Sequence, residues 1–162
     1  MSTHAHVSVE ERQTSTFLGM SHHVLLGAEH TDGLAGVVDI SAQPGAGAPL
    51  HTNNREALVW YGIEGTLVVE TEDGPQSLAP GDAMFLPKGS AHTFTNRSDR
   101  PARALLVCLP GGFEEFLLEL SGRLPVDVPA GPPPPDAIQV LATTASRHGV
   151  IVHPPTKGID HE

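Results

Sequence analysis

The sequence is short of cysteine, basic residues, aromatic rings and long apolar runs, and each shortage excludes something. Cys108 is the single cysteine, so no intrachain disulfide can form. Nine Lys and Arg stand against 19 Asp and Glu, a formal charge of −10, which argues against a nucleic-acid partner because phosphate binding needs basic surface. No apolar run has the length of a transmembrane helix, so no membrane association is expected. The first thirteen residues are polar and lack the apolar stretch of a signal peptide, which makes the cytoplasm the expected compartment. Gly and Pro, in contrast, are plentiful at 17 and 15, and they favour a turn-rich, all-β architecture over a helical one. A chain of 162 residues suits one domain with a real core.

The pattern along the chain agrees. Residues 1–15 read as a loose polar segment. Strands are expected within residues 16–28, at 34–41, 57–61, 66–71 and 76–78, and at 102–109, with a Gly/Pro loop at 43–48. Glu72-Asp73-Gly74-Pro75 carries the Asp-Gly signal of a hairpin turn. After residue 111 the period changes. Phe113, Phe116, Leu117 and Leu120 recur at helical spacing, and Glu114, Glu115 and Glu119 are expected on the solvated face of that helix. A Pro-rich linker at 129–135 leads to a second helix opening at Asp136 and ending at Gly149. Its apolar stripe is Ile138, Leu141, Ala142 and Ala145. The expected division is 1–15, a barrel at 16–111 and a helical extension at 112–162.

The run from Gly81 to Asn96, Gly-Asp-Ala-Met-Phe-Leu-Pro-Lys-Gly-Ser-Ala-His-Thr-Phe-Thr-Asn, puts turn residues at both ends of a short strand. His92, Phe94 and Asn96 then alternate and face one side. This run resembles the second motif of the cupin superfamily. The stretch from Pro44 to Gly65 resembles the first. Gly19-Met20-Ser21, the run Leu109 to Phe116 and the run Arg147 to Val152 resemble a group of single-domain bacterial cupins described as quercetin-dioxygenase-like. The resemblance implies a double-stranded β-helix, a jelly-roll barrel with C-terminal helices, that works on a small molecule inside the barrel and forms a homodimer. It also implies four metal-ligand positions, which carry over to His51, Asn53, Leu58 and His92. Two of these are not ligands of the usual kind, so the first motif is degenerate.

Within such a barrel His51, Asn53, Leu58, Trp60, His92, Phe94 and Asn96 point inward. His51, His92 and Glu56 are the expected catalytic residues, and Asn53, Leu58, Trp60 and Phe94 the expected substrate contacts. Trp60 either fills core or stacks on a planar ligand. Asn96 is expected to serve the barrel's own hydrogen bonding. No cofactor is expected; the alternative is a divalent transition metal held by His51, His92 and Glu56. A histidine pair near its ordinary pKa would act as general acid and base. The leading expectation is therefore a metal-independent isomerase, cyclase or dehydratase for an aromatic or polyketide-like metabolite. The alternatives are a quercetinase-like dioxygenase and a binding protein without catalysis. His22 and His23 are adjacent, so on a strand they face opposite ways. Cys108 reads as a buried hydrophobe. His148 stands near a helix end, where a cation is favoured, and His4, His6 and His161 fall in expected tails.

Overall fold

A computed structural model describes residues 4–131 and 133–154. His161 and the rest of residues 155–162 lie outside the described residues, as does Pro132. The chain folds into two antiparallel sheets packed face to face. The first holds β1 (Gln13–Phe17), β2 (Met20–Leu26), β3 (Gly36–Ala42), β10 (Ala102–Leu109), β5 (Ala57–Glu64) and β8 (Ala83–Leu86), in that spatial order. The second holds β11 (Val150–Val152), β4 (Gly47–Asn53), β9 (Ala91–Thr95), β6 (Leu67–Thr71) and β7 (Gly74–Leu78). Sequence neighbours switch between sheets repeatedly, the wiring of a jelly roll.

Alternation sets the core. Leu58 and Trp60 of β5, Ala104, Leu106 and Cys108 of β10, and Val38 and Ile40 of β3 are buried on one side of the first sheet. Leu67, Val69, His92 and Phe94 come from the second. Burying a large side chain such as Trp60 or Phe94 contributes about 1.5–3 kcal/mol. The turn between β8 and β9 ends at Gly89, whose φ of +86° suits glycine. Gly47 serves a different need. A side chain there would meet the Phe94 carbonyl at 2.3 Å, so only glycine lets β4 close onto β9. The Thr93 hydroxyl donates to the Ala48 carbonyl at the same place.

Four expectations are revised. Residues 13–15 are not loose: β1 pairs with β2 from Gln13↔Val24 to Phe17↔Met20, and the buried Ser15 hydroxyl donates to the Leu117 carbonyl at 2.7 Å. Leu18 and Gly19 make the two-residue turn, both with positive φ, as the twist of a hairpin asks. Second, Glu114 of α1 (Phe113–Glu119) is not solvated. It is 1% exposed and accepts N–H bonds from Ala28 and Gly112, each at 2.8 Å. Third, α2 (Pro135–Arg147) turns Ala137, Leu141, Thr144 and Ala145 inward, while Ile138 is exposed. Fourth, the C-terminal extension is not only helical, since β11 pairs with β4. Glu119 ties the two helices by accepting from Arg147 at 2.6 Å and His148 at 2.5 Å. No described helix is long and apolar enough to cross a membrane.

Candidate functional site

Between the sheets lies a cavity of about 60 Å³. His51 from β4 and His92 from β9 are register partners across the strand pair, with ring centroids 4.3 Å apart. Leu58, Trp60 and Phe94 line the cavity with them, and Trp60 leans on Phe94 at 5.1 Å. A third imidazole joins the lining. His22 of β2 is buried, while His23 turns the other way and bonds Thr14. The sequence could signal only that one of this pair faces inward.

The three rings share one arrangement. Nδ1 of His51 lies 2.8 Å from the Pro49 carbonyl, that of His92 lies 3.0 Å from Ser90, and that of His22 lies 3.1 Å from Ser15. A carbonyl oxygen only accepts, so each Nδ1 carries the proton and donates it. Each Nε2 is then a lone-pair acceptor while the ring is neutral. Nε2 of His92 is buried with no partner. Burial also keeps the rings neutral. It pushes His51 down to about 3, helped by His92 beside it, and His22 to about 4 against the pull of the Ser15 carbonyl. His92 is lowered by burial as well. The expectation of a histidine pair at its ordinary pKa is therefore corrected: desolvation disfavours the charged form.

Asn53 and Glu56 do not join the histidines. Asn53 is buried but absent from the cavity lining, and Glu56, in the loop between β4 and β5, is 3% exposed. The two stand beside each other in a separate polar knot at the end of the barrel. A side chain at Gly112 would approach Glu56, and Glu114 is near enough to repel it. Burial raises the Glu56 carboxyl above its ordinary value. Both amide atoms of Asn53 and Oε2 of Glu56 lack hydrogen-bond partners of proper geometry. Asn96 also leaves the cavity and donates to the Ala42 and Arg100 carbonyls at 3.0 and 2.7 Å. Cys108 is fully buried, its thiol raised well above its usual pKa by desolvation.

A resident metal fits this donor set poorly. Leu58 offers no donor, Asn53 and Glu56 sit in the other cluster, and of the expected ligands His51 and His92 remain; His22 lines the same cavity but does not converge with them on one point. Among the described residues no three His, Cys, Asp or Glu side chains come together to hold an ion. A firmly held divalent cation asks for three or four such ligands.

Residues 38–108 match the family model described as "Cupin domain". No curated sequence matches the chain. Solved structures do. A sugar phosphate isomerase from a cupin superfamily of Silicibacter pomeroyi is 24% identical, with a TM-score of 0.55 over 65% of this chain and 75% of that one. The polyketide cyclase RemF of Streptomyces resistomycificus is 18% identical, with a TM-score of 0.57 over 66% and 80%. KdgF of Halomonas sp. is 18% identical, with a TM-score of 0.61 over 70% and 99%. At these identities the likeness is one of fold. Residues 38–108 thus match a cupin-domain model, and the fold is that of a cupin jelly roll with helices at its C-terminal end.

Proposed function

We propose that the protein is a metal-independent acid–base enzyme of the isomerase or cyclase type, acting on a small aromatic or polyketide-like metabolite with His51 and His92. The observation that carries this reading is the pair of neutral imidazoles whose Nδ1 atoms are tied to carbonyls and whose Nε2 atoms stand free in an apolar cavity. Nε2 of one ring takes a proton from an acidic C–H or O–H of the substrate, leaving an enolate and an imidazolium. The enolate supplies the opposite charge that burial withholds from the resting ring, so the pKa rises only in the complex. The proton then returns at another atom, and no electron is gained or lost. Cupin-fold neighbours that include a sugar phosphate isomerase and a polyketide cyclase are consistent with this class.

Binding without turnover is the second reading. The low pKa of His51 favours it, because a ring pushed to about 3 is a weak base at rest. Deuterium uptake from solvent at the acidic carbon of hydroxyacetophenone separates the two. The acid–base reading expects uptake that survives a chelator and falls by about 10²–10⁴ in His51→Ala or His92→Ala. Uptake that needs added metal, or that ignores both substitutions, sinks it. As a partner we propose a second copy, packed through the outer face of the first sheet, where Tyr61 and Phe85 are exposed beside half-buried Val59, Leu105 and Val107.

A further inference from the structure

A second and larger space lies beside the histidine cavity. It measures about 630 Å³ and runs between the start of β4, α2 and the linker residues Pro129, Gly131 and Pro133. Its α2 wall is Ile138, Leu141 and Ala142, and its polar side chains are Thr95 and His153. Leu18, Gly47, Ala48, Pro49, Leu141 and Val152 face both spaces, so the two adjoin across them. On the β4 side that boundary is made of small residues. Leu18 stands in it with a φ of +51°, a left-handed conformation costing about 1–2 kcal/mol. The bond from its N–H to the Pro125 carbonyl holds it there.

The volumes divide a ligand in two. A space of 630 Å³ has the size of an ordinary small-molecule site. The inner 60 Å³ admits a few waters or a small head group, not a fused ring system. The chemistry of the head follows from what the walls offer. His92 Nε2 is buried, unpartnered and able only to accept from a neutral ring. Among the described residues no Lys or Arg lines either space. A carboxylate or phosphate there would lose its water and gain no counter-charge, whereas a neutral hydroxyl would satisfy the imidazole.

We propose that the ligand is a neutral phenol or enol with a flat apolar body. The body lies in the outer space against α2, and the hydroxyl reaches inward and donates to Nε2 of His92. This rests on the reading of the histidine cavity as the working site, and it names the substrate class. Carboxylates and phosphates are refused.

Trp60 is the only tryptophan and lines the inner cavity, so its fluorescence reports occupancy without any turnover. Naphthol, its methyl ether and naphthoate are titrated against the protein at neutral pH. Naphthol should bind about tenfold more tightly than either of the others. In His92→Phe the preference for naphthol over its ether should vanish. Ala142→Trp fills the outer space and Ile138→Glu places a charge on its wall. Each should weaken naphthol at least about fivefold while thermal stability holds. Equal affinity for the three probes, or no naphthol binding, overturns the proposal. So does unchanged naphthol affinity in both outer-space variants. Selective naphthol binding in a protein that never exchanges a proton would uphold this inference while sinking the catalytic reading.

Discussion

His51 and Asn53 lie two residues apart on β4, yet they enter opposite kinds of buried environment. His51 meets an apolar cavity in which each imidazole has its Nδ1 satisfied by a carbonyl. Asn53 meets a polar knot with Glu56, whose carboxyl its amide pulls downward against burial without either making a hydrogen bond of full geometry. Burial moves the titrating groups of both regions toward neutrality, His51 and His22 downward and Glu56 upward. The difference lies in preorganisation. The cavity has its Nδ1 bonds made and its Nε2 acceptors left over, as a binding site does. The knot holds three orphaned atoms, each of which costs stability unless water or a shared proton reaches it.

The largest expected effect is on stability against pH, and it belongs to the cavity. The unfolded chain takes up protons near pH 6.5 that folded His51 and His22 refuse until about 3 and about 4. Unfolded protein then binds more protons, so stability falls as the solution is acidified through that window. The slope is on the order of 1.4 kcal/mol per pH unit for each histidine. Urea denaturation at several pH values measures it. His22→Phe should remove one proton's share of the slope, even though the Ser15 carbonyl loses its donor and the variant is less stable throughout. An unchanged slope would mean that His22 is not held neutral.

Next in size is the contrast between the two donor sets. Leu58→Glu, which puts a carboxylate into the cavity beside His51 and His92, should take up close to one equivalent of divalent metal, and the native chain far less, by elemental analysis of untagged protein. A native chain that purifies fully loaded would overturn the division between cavity and knot.

A smaller effect is expected in the knot. The raised Glu56 carboxyl binds its proton more tightly in the folded state, so its contribution is lost as pH rises from its ordinary value through the folded one. Glu56→Gln removes that loss. At pH 8 the variant should melt a few degrees higher than the native protein in a thermal denaturation. A lower melting point would show that the ionised carboxylate is well paired. Smallest for the cavity is Phe85→Asp on the outer face of the first sheet. It should shift the protein from dimer to monomer in analytical ultracentrifugation and leave naphthol binding intact.

Much of the scaffold is legible because it is local. Gly81, Gly89 and the alternation of His92 with Phe94 specify the β8–β9 unit by turn chemistry and period alone. β10 occupies the residues its apolar run marks out. What escapes a reading of the sequence is set by distant partners. Gln13–Phe17 is a polar strand that exists because β2 and the Leu117 carbonyl receive it. Glu114 is buried because the Ala28 and Gly112 amides converge on it. The same holds in the site. Alternation places Asn53 and His51 on one face, but the β4–β9 pairing ends at Thr52↔Ala91, and Asn53 lies beyond the cavity. The inward turn of His22 becomes meaningful only once β2 is seen across from β4.

β11 carries a consequence for biosynthesis. Val150–Val152 covers the edge of β4 by pairing His51 with Val152 and Asn53 with Val150. On the ribosome the strand bearing His51 is therefore made about a hundred residues before the segment that shields it. Until that segment emerges, β4 keeps a row of unpaired amides and carbonyls, open to chaperones or to a neighbouring nascent chain.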